Sequence, residues 1–269
     1  MSVPVSIQRI APLPPITVEI LNRIPTLPAA VDTAFNELLA SEPQLQESTI
    51  QLANQHGFND LHAPDLAQIA LSVLLRQYMQ RAFDVSADFR YWRYTLACAF
   101  TCQELARFDN ITGLQAYAAG LLHDIGRLGL IAAYPEKYAN LLTLTNSMFE
   151  SGRPFDISEY ERMLFGLDRF AAGGWLAETW KLPAWLRPVV GKFTEQPTEA
   201  DRRLIDMVRS GTQLAHSLGF GYLEAAPRMS VREILSKHPA ALHHWGALDR
   251  FQLGEKAWRA SIEPRLSWY

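Results

Sequence analysis

Apolar residues recur every three to four positions along nearly the whole chain, while the strict alternation of a half-buried strand is almost absent. In LPAAVDTAFNELLA, the residues Val31, Phe35, Leu38 and Leu39 fall on one helical face, with acidic and polar residues between them. Residues 65–83, DLAQIALSVLLRQYMQRAF, open on Asp65 as N-cap after Pro64 and run apolar at the same spacing. YWRYTLACAFTCQELARF, residues 91–108, is a third helix, and another begins near Pro135, where proline is tolerated in a first turn. SEYERMLFG follows, with Ser158 as the expected cap and Glu161 three residues later, a capping-box pattern. RFAAGGWLAETW is the next helix, ended by KLP, and residues 199–218 form one more that stops at Gly219. The fold class is all-α, a multi-helix bundle.

Composition narrows the partners. At 269 residues and 48% hydrophobic, the chain has ample material for a buried core. A formal net charge of −3 argues against binding nucleic acid through bulk positive charge. No apolar run is long enough to cross a bilayer, so no membrane is expected. The opening MSVPVSIQRIAPLPP lacks the basic-then-apolar build of a signal peptide, and its prolines suggest an extended tail. Cys98 and Cys102 stand four residues apart on one helical face, which fits small core residues in a reducing cytoplasm better than a disulfide framework.

The chemistry-bearing feature is AYAAGLLHDIGRLGL, residues 116–130, where His123 and Asp124 sit side by side. Adjacent residues on a helix point about 100° apart, so the pair can share an ion only if other helices complete the sphere. Catalytic zinc sites use three protein ligands and keep a position open for water. A plainer reading has the imidazole and carboxylate bonding locally to hold core helices, with Asp124 satisfying backbone donors at a helix start. Elsewhere, His243 and His244 diverge and have no ligand-spaced partner, His238 before Pro239 marks a turn, and His56 and His62 flank a loop. Trp175, Trp180 and Trp185 read as core anchors, with a partner-docking surface as the alternative. Gly173–Gly174 reads as a close-packing site, and neither a GxxxxGK[ST] nor a GxGxxG phosphate loop occurs.

Five stretches in order, RIPTLPAA, YWRYTLACA, AAGLLHDIGRLGL, EYERMLFGLDRFAAGGWLAETWKLP and QLAHSLGFG, give the chain a family resemblance. It resembles the HDOD proteins, a bacterial branch of the HD-domain superfamily, from about Ile24 to Gly221. The implied organisation is a tail over 1–18, an HD-domain-like helical bundle over 19–221 and a helical extension over 222–269 that packs on the main body.

The superfamily's hydrolases hold one or two metal ions through histidines and aspartates from several helices. Carried over position by position, the first histidine becomes Tyr94 and the one after the Phe-Gly stretch becomes Arg169, beside Asp168. The next falls among Gly191, Lys192 and Phe193, and the distal aspartate among Gly211, Thr212 and Gln213; Asp206 lies nearly two turns too early. His123 and Asp124 alone remain, so the resemblance implies a vestigial metal pair, no catalytic residues and no cofactor beyond a weakly held divalent ion. Arg169 or Lys192 is expected to pair with Asp124 where a metal once sat, or to bind an anion there.

The function implied is a non-catalytic module of bacterial signal transduction, acting in the cytoplasm on a protein partner and open to self-association. One alternative is a metal-dependent phosphohydrolase of a nucleotide or cyclic dinucleotide, with Asp168, Glu161 and Asp206 recruited as ligands. Another is a pocket that senses an anion or nucleotide without hydrolysing it.

Overall fold

The computed structural model describes residues 3–26, 33–55, 63–82, 88–152, 155–191, 197–222 and 229–244, and within them every regular element is a helix. The N-terminal elements are α1 (Val5–Gln8), α2 (Pro15–Arg23), α3 (Thr33–Ala40), α4 (Pro43–Gln55) and α5 (Ala63–Ala82). The middle of the chain forms α6 (Asp88–Ala106), α7 (Gly113–Leu122), α8 (Ile125–Ala133), α9 (Pro135–Glu150) and α10 (Ile157–Phe165). There follow α11 (Arg169–Thr179), α12 (Arg187–Val190), α13 (Glu199–Ala215), α14 (Val231–Leu235) and α15 (Pro239–His244).

The helix α6 is the central strut, packed against both α7 and α13, while α8 lies on α11. Its apolar content explains the position: Trp92, Leu96, Ala97, Cys98, Ala99 and Cys102 are all fully buried. Burial pushes both thiols well above their ordinary pKa, so they behave as small apolar residues rather than nucleophiles. Trp180 is buried with its ring edge-on to Tyr78 at 5.6 Å, and Trp185 donates its indole N–H to the Leu21 carbonyl at 3.2 Å. Both serve as helix anchors.

Two glycine contacts set the spacing around the His–Asp pair. A Cβ on Gly126 would collide with the backbone carbonyl of Arg169, and one on Gly173 would collide with that of Val190. Helices α8 and α11 therefore cross backbone to backbone, which brings the start of α11 to the end of α7. A Cβ on Gly211 would strike the Cys102 sulfur, and Thr101 donates its hydroxyl to the Gly211 carbonyl at 2.7 Å. That contact fixes α13 against α6.

Three local expectations change. The cap of α10 is Asp156, whose carboxylate accepts from the Ser158 N–H at 2.9 Å; Ser158 lies inside the helix and Glu161 turns into the core. The aspartate wins because its charged oxygens satisfy an orphan N–H better than a hydroxyl does. The expected extended tail folds back: α1 lies on α8, Ile7 and Leu13 are buried, and Tyr78 donates to the Ala11 carbonyl at 2.7 Å. Last, α13 ends at Ala215, and a π-helical turn over His216–Phe220 follows, with Gly219 in the left-handed region at φ 89°. Helix α14 packs on α13 through buried Val231, Ile234 and Leu235. Among the described residues no helix is long and apolar enough to cross a membrane.

Candidate functional site

His123 closes α7 and Asp124 opens α8, so the sharp junction between two helices, rather than one helix face, presents the pair. Tyr91 on α6 pins that junction by donating its hydroxyl to the Asp124 carbonyl at 2.7 Å. Both residues line a cavity of about 320 Å³ bounded by α6, the α7–α8 junction, α11 and α13.

The imidazole is spoken for at both nitrogens. Its Nδ1 lies 2.8 Å from the Gly120 carbonyl, which can only accept, so Nδ1 carries the proton. The Nε2 lone pair then accepts from the Tyr94 hydroxyl at 3.1 Å. Burial lowers the His123 pKa, outweighing the pull of Asp124, which favours the neutral ring this tautomer needs. Burial likewise pushes the Tyr94 phenol well above its ordinary range, so it remains a donor. The nitrogen that a metal would need is capped by a proton.

The carboxylate is engaged too. Arg127 Nε donates to Asp124 Oδ2 at 2.5 Å, with side-chain exposures of only 5% and 7%. Burial opposes the Arg127 charge, but Asp124, with Tyr138, Glu161 and Tyr94 adding to it, outweighs that and the guanidinium pKa rises. The face of the guanidinium rests over Tyr222, 5.5 Å from the ring centre. Arg169, at the first turn of α11, places Nε 3.7 Å from Asp124 Oδ1 and Nη1 3.8 Å from Glu161 Oε1. Asp124 thus sits between two guanidinium groups. It occupies the N-cap position of α8, yet its side chain accepts no cap bond from the backbone, because Arg127 has claimed it.

The other carboxylates face elsewhere. Glu161 is fully buried, accepting from the Tyr138 hydroxyl at 2.6 Å and the Arg169 N–H at 2.9 Å. Asp168 caps α11 through the Ala171 N–H at 2.9 Å and pairs with Arg162 at 2.6 Å. Asp206 is exposed and pairs with Arg209 at 3.0 Å. Among the described residues no three of His, Cys, Asp and Glu cluster so as to hold a metal ion. Among the described residues, the donors at the His–Asp pair number two, fewer than the three protein ligands a catalytic metal centre uses.

Of the residues singled out in the sequence, Tyr94, His123, Asp124 and Arg169 come together, with Gly211 and Thr212 behind them on α13. Lys192, His56, His62 and Phe193 lie outside the described residues, and His243 is exposed on α15. Arg127 escaped notice. The signal was present in HDIGR, because a cation three residues after an acid on a helix faces it.

These features define a helical domain organised around a His–Asp pair at a helix junction. The HDOD domain family model matches residues 63–194, and that stretch is an HDOD domain. Its fold is that of an HDOD domain protein of unknown function from Geobacter sulfurreducens: TM-score 0.70, 18% identity, 97% of this chain and 94% of that one. A protein named provisionally for signal transduction, from Marinobacter aquaeolei VT8, aligns with a TM-score of 0.68 at 18% identity, over 98% of this chain and 64% of that one. A protein from Shewanella amazonensis SB2B, named provisionally as a phosphohydrolase, gives 0.63 at 20% identity, over 97% of this chain and 96% of that one. At such identities these likenesses speak for the fold alone. No curated protein matches the sequence significantly.

Proposed function

We propose that this HDOD domain is a metal-free, non-catalytic regulatory module of a signalling pathway, working through contact with another protein. One observation carries the reading: both residues of the His–Asp pair are already engaged within the protein, His123 Nε2 by Tyr94 and the Asp124 carboxylate by Arg127 at Oδ2, with Arg169 3.7 Å from Oδ1. A metal would have to share a carboxylate already set between two guanidinium groups and displace a phenolic proton, and among the described residues no third carboxylate or imidazole stands ready. Without a metal ion the site lacks the activated water that metal-dependent phosphate ester hydrolysis uses as its nucleophile. The name of the Marinobacter relative points the same way, toward signalling. Exposed apolar side chains on α9 and α10, among them Phe149 and Met163, offer surface for a protein contact.

The test is elemental analysis of untagged protein, alongside His123→Ala, with a phosphodiesterase assay on both. The expected result is no stoichiometric metal and no hydrolysis. Near-stoichiometric metal that disappears in His123→Ala would overturn the proposal and restore the phosphohydrolase reading.

A further inference from the structure

The arrangement that disfavours a metal leaves unspent hydrogen-bonding capacity of the opposite kind. Arg127 is 4% exposed and lines the cavity, yet its Nη1 has no hydrogen-bond partner among the described residues. Arg169 Nη1 is buried and likewise lacks one, since Glu161 Oε1 at 3.8 Å is beyond hydrogen-bonding reach. A buried guanidinium N–H left without an acceptor costs roughly 1–3 kcal/mol, and native structures tolerate few of them. Both arginines line the cavity, so an acceptor that enters it meets the guanidinium groups carrying these unspent donors. A third cation stands at the mouth: Arg209, on α13, has its side chain 63% exposed and, among the described residues, pairs only with the similarly exposed Asp206. Such surface pairs are worth little and exchange partners readily.

We propose that this cavity binds a phosphoryl group of a small organic phosphate, held by Arg127 and Arg169 from inside and by Arg209 at the mouth, without hydrolysing it. The inference rests on the metal-free reading above, because it needs Arg127 holding Asp124 and Arg169 at a position where a metal ligand would otherwise be. A guanidinium fork matches the oxygens of a tetrahedral dianion in geometry as well as charge. The neighbouring acids bound the strength of the effect: Asp124, Glu161 and Asp206 each offset part of the positive charge, so the site is selective through its directed N–H groups rather than through a strong field. The rest of the cavity suits an organic body. Its walls carry Phe170, Val189, Ile205 and Val208, and a volume of about 320 Å³ lies at the small end of the ~300–1,000 Å³ typical of small-molecule pockets. That favours a mononucleotide-sized phosphate ester over a dinucleotide.

The experiment is isothermal titration of the full chain, stripped with EDTA and checked for metal, with inorganic phosphate, 5′-AMP and adenosine at matched ionic strength. The expected result is saturable binding of phosphate, tighter binding of 5′-AMP and none of adenosine. Arg169→Gln should weaken binding of both phosphates by roughly 10- to 100-fold, the value of one or two charge-assisted hydrogen bonds. Arg209→Gln, at an exposed position that leaves the fold intact, should weaken it by a few-fold at most, roughly one screened surface contact. Adenosine binding as well as 5′-AMP, or equal phosphate affinity in all three proteins, would overturn the proposal. So would an absence of phosphate binding by verified metal-free protein, which leaves the regulatory reading standing. Phosphate binding that requires a bound metal would overturn both.

Discussion

Arg127→Met removes the guanidinium from Asp124 while keeping an unbranched side chain of similar reach. Asp124 and Arg127 are both at least nine-tenths buried, so water does not screen the pair and the small values typical of surface ion pairs do not apply. Removing one member of a buried pair costs about 3–5 kcal/mol because the other is left charged and uncompensated. The structure orders the two single variants within that range. After Arg127→Met, Asp124 keeps Arg169 at 3.7 Å, so the loss lies near the lower figure. After Asp124→Asn, Arg127 loses its ion-pair partner and Arg169 keeps, among the described residues, the 3.8 Å contact with Glu161, so the loss lies nearer the upper one. For a chain of this size the expected fall in Tm is roughly 6–15 °C, at about 2–3 °C per kcal/mol. The assay is thermal and urea unfolding followed by circular dichroism, with the double variant Asp124→Asn/Arg127→Met completing a cycle. The double variant should cost less than the two single losses added together, by about 0.5–3 kcal/mol. An Arg127→Met protein that melts within about 2 °C of the parent, a shift worth less than roughly 1 kcal/mol, would refute the reasoning. It would mean that Asp124 is satisfied without Arg127 and is free to serve as a ligand.

Other outcomes follow from neighbouring contacts. Gly126→Ala drives a Cβ into the Arg169 carbonyl, a rigid backbone atom, so α8 and α11 must separate; the expected loss is about 1–3 kcal/mol, read by urea unfolding, and no loss would mean the helices cross more loosely. Tyr138→Phe leaves a Glu161 oxygen without its 2.6 Å donor in a fully buried setting, at about 1–3 kcal/mol, and an unchanged urea midpoint would show water replacing the hydroxyl. His123 and His238 are both held below the ordinary 6.5 by burial, so the unfolded chain takes up their protons first as pH falls. The stability they contribute is complete above 6.5 and is lost as pH drops from there through their folded values. Replacing either with Gln should flatten that acid slope in a urea titration series, and an unaltered slope would assign it to other groups.

The helices were legible because their apolar period is unbroken; α3, α5, α6, α9, α11 and α13 all lie where the spacing predicts them. Their ends were less so. Ser158 and Asp156 compete for one cap two residues apart, and only the burial of Glu161 against Tyr138 shows which won. The proline-rich start looked extended because proline disfavours helix interiors, but Pro15 sits at the first turn of α2, where its missing N–H costs nothing. In the site, the stretches shared with the HDOD family located Tyr94, His123, Asp124 and Arg169. The contacts between α10, α9 and α11 could not be read, since Glu161 meets Tyr138 across 23 residues and nothing local marks the meeting.

Why Arg127 rather than Arg169 is the nearer cation follows from geometry. Arg127 reaches Asp124 along a single helix, at fixed spacing, and needs no tertiary adjustment. Arg169 arrives on another helix, held by the glycine crossing, and must also serve Glu161. The local cation neutralises the carboxylate, and the tertiary one is left partly unsatisfied beside the cavity. Replacing a metal by arginine also changes what the site can do. A metal ion lowers the pKa of a bound water and keeps a position open for it, whereas a guanidinium offers only N–H donors and generates no hydroxide. The same substitution that removes the nucleophile supplies directed donors for an oxyanion. On the proposed reading, loss of hydrolysis and gain of anion recognition are one structural change, and the metal assay and the phosphate titration examine its two halves separately.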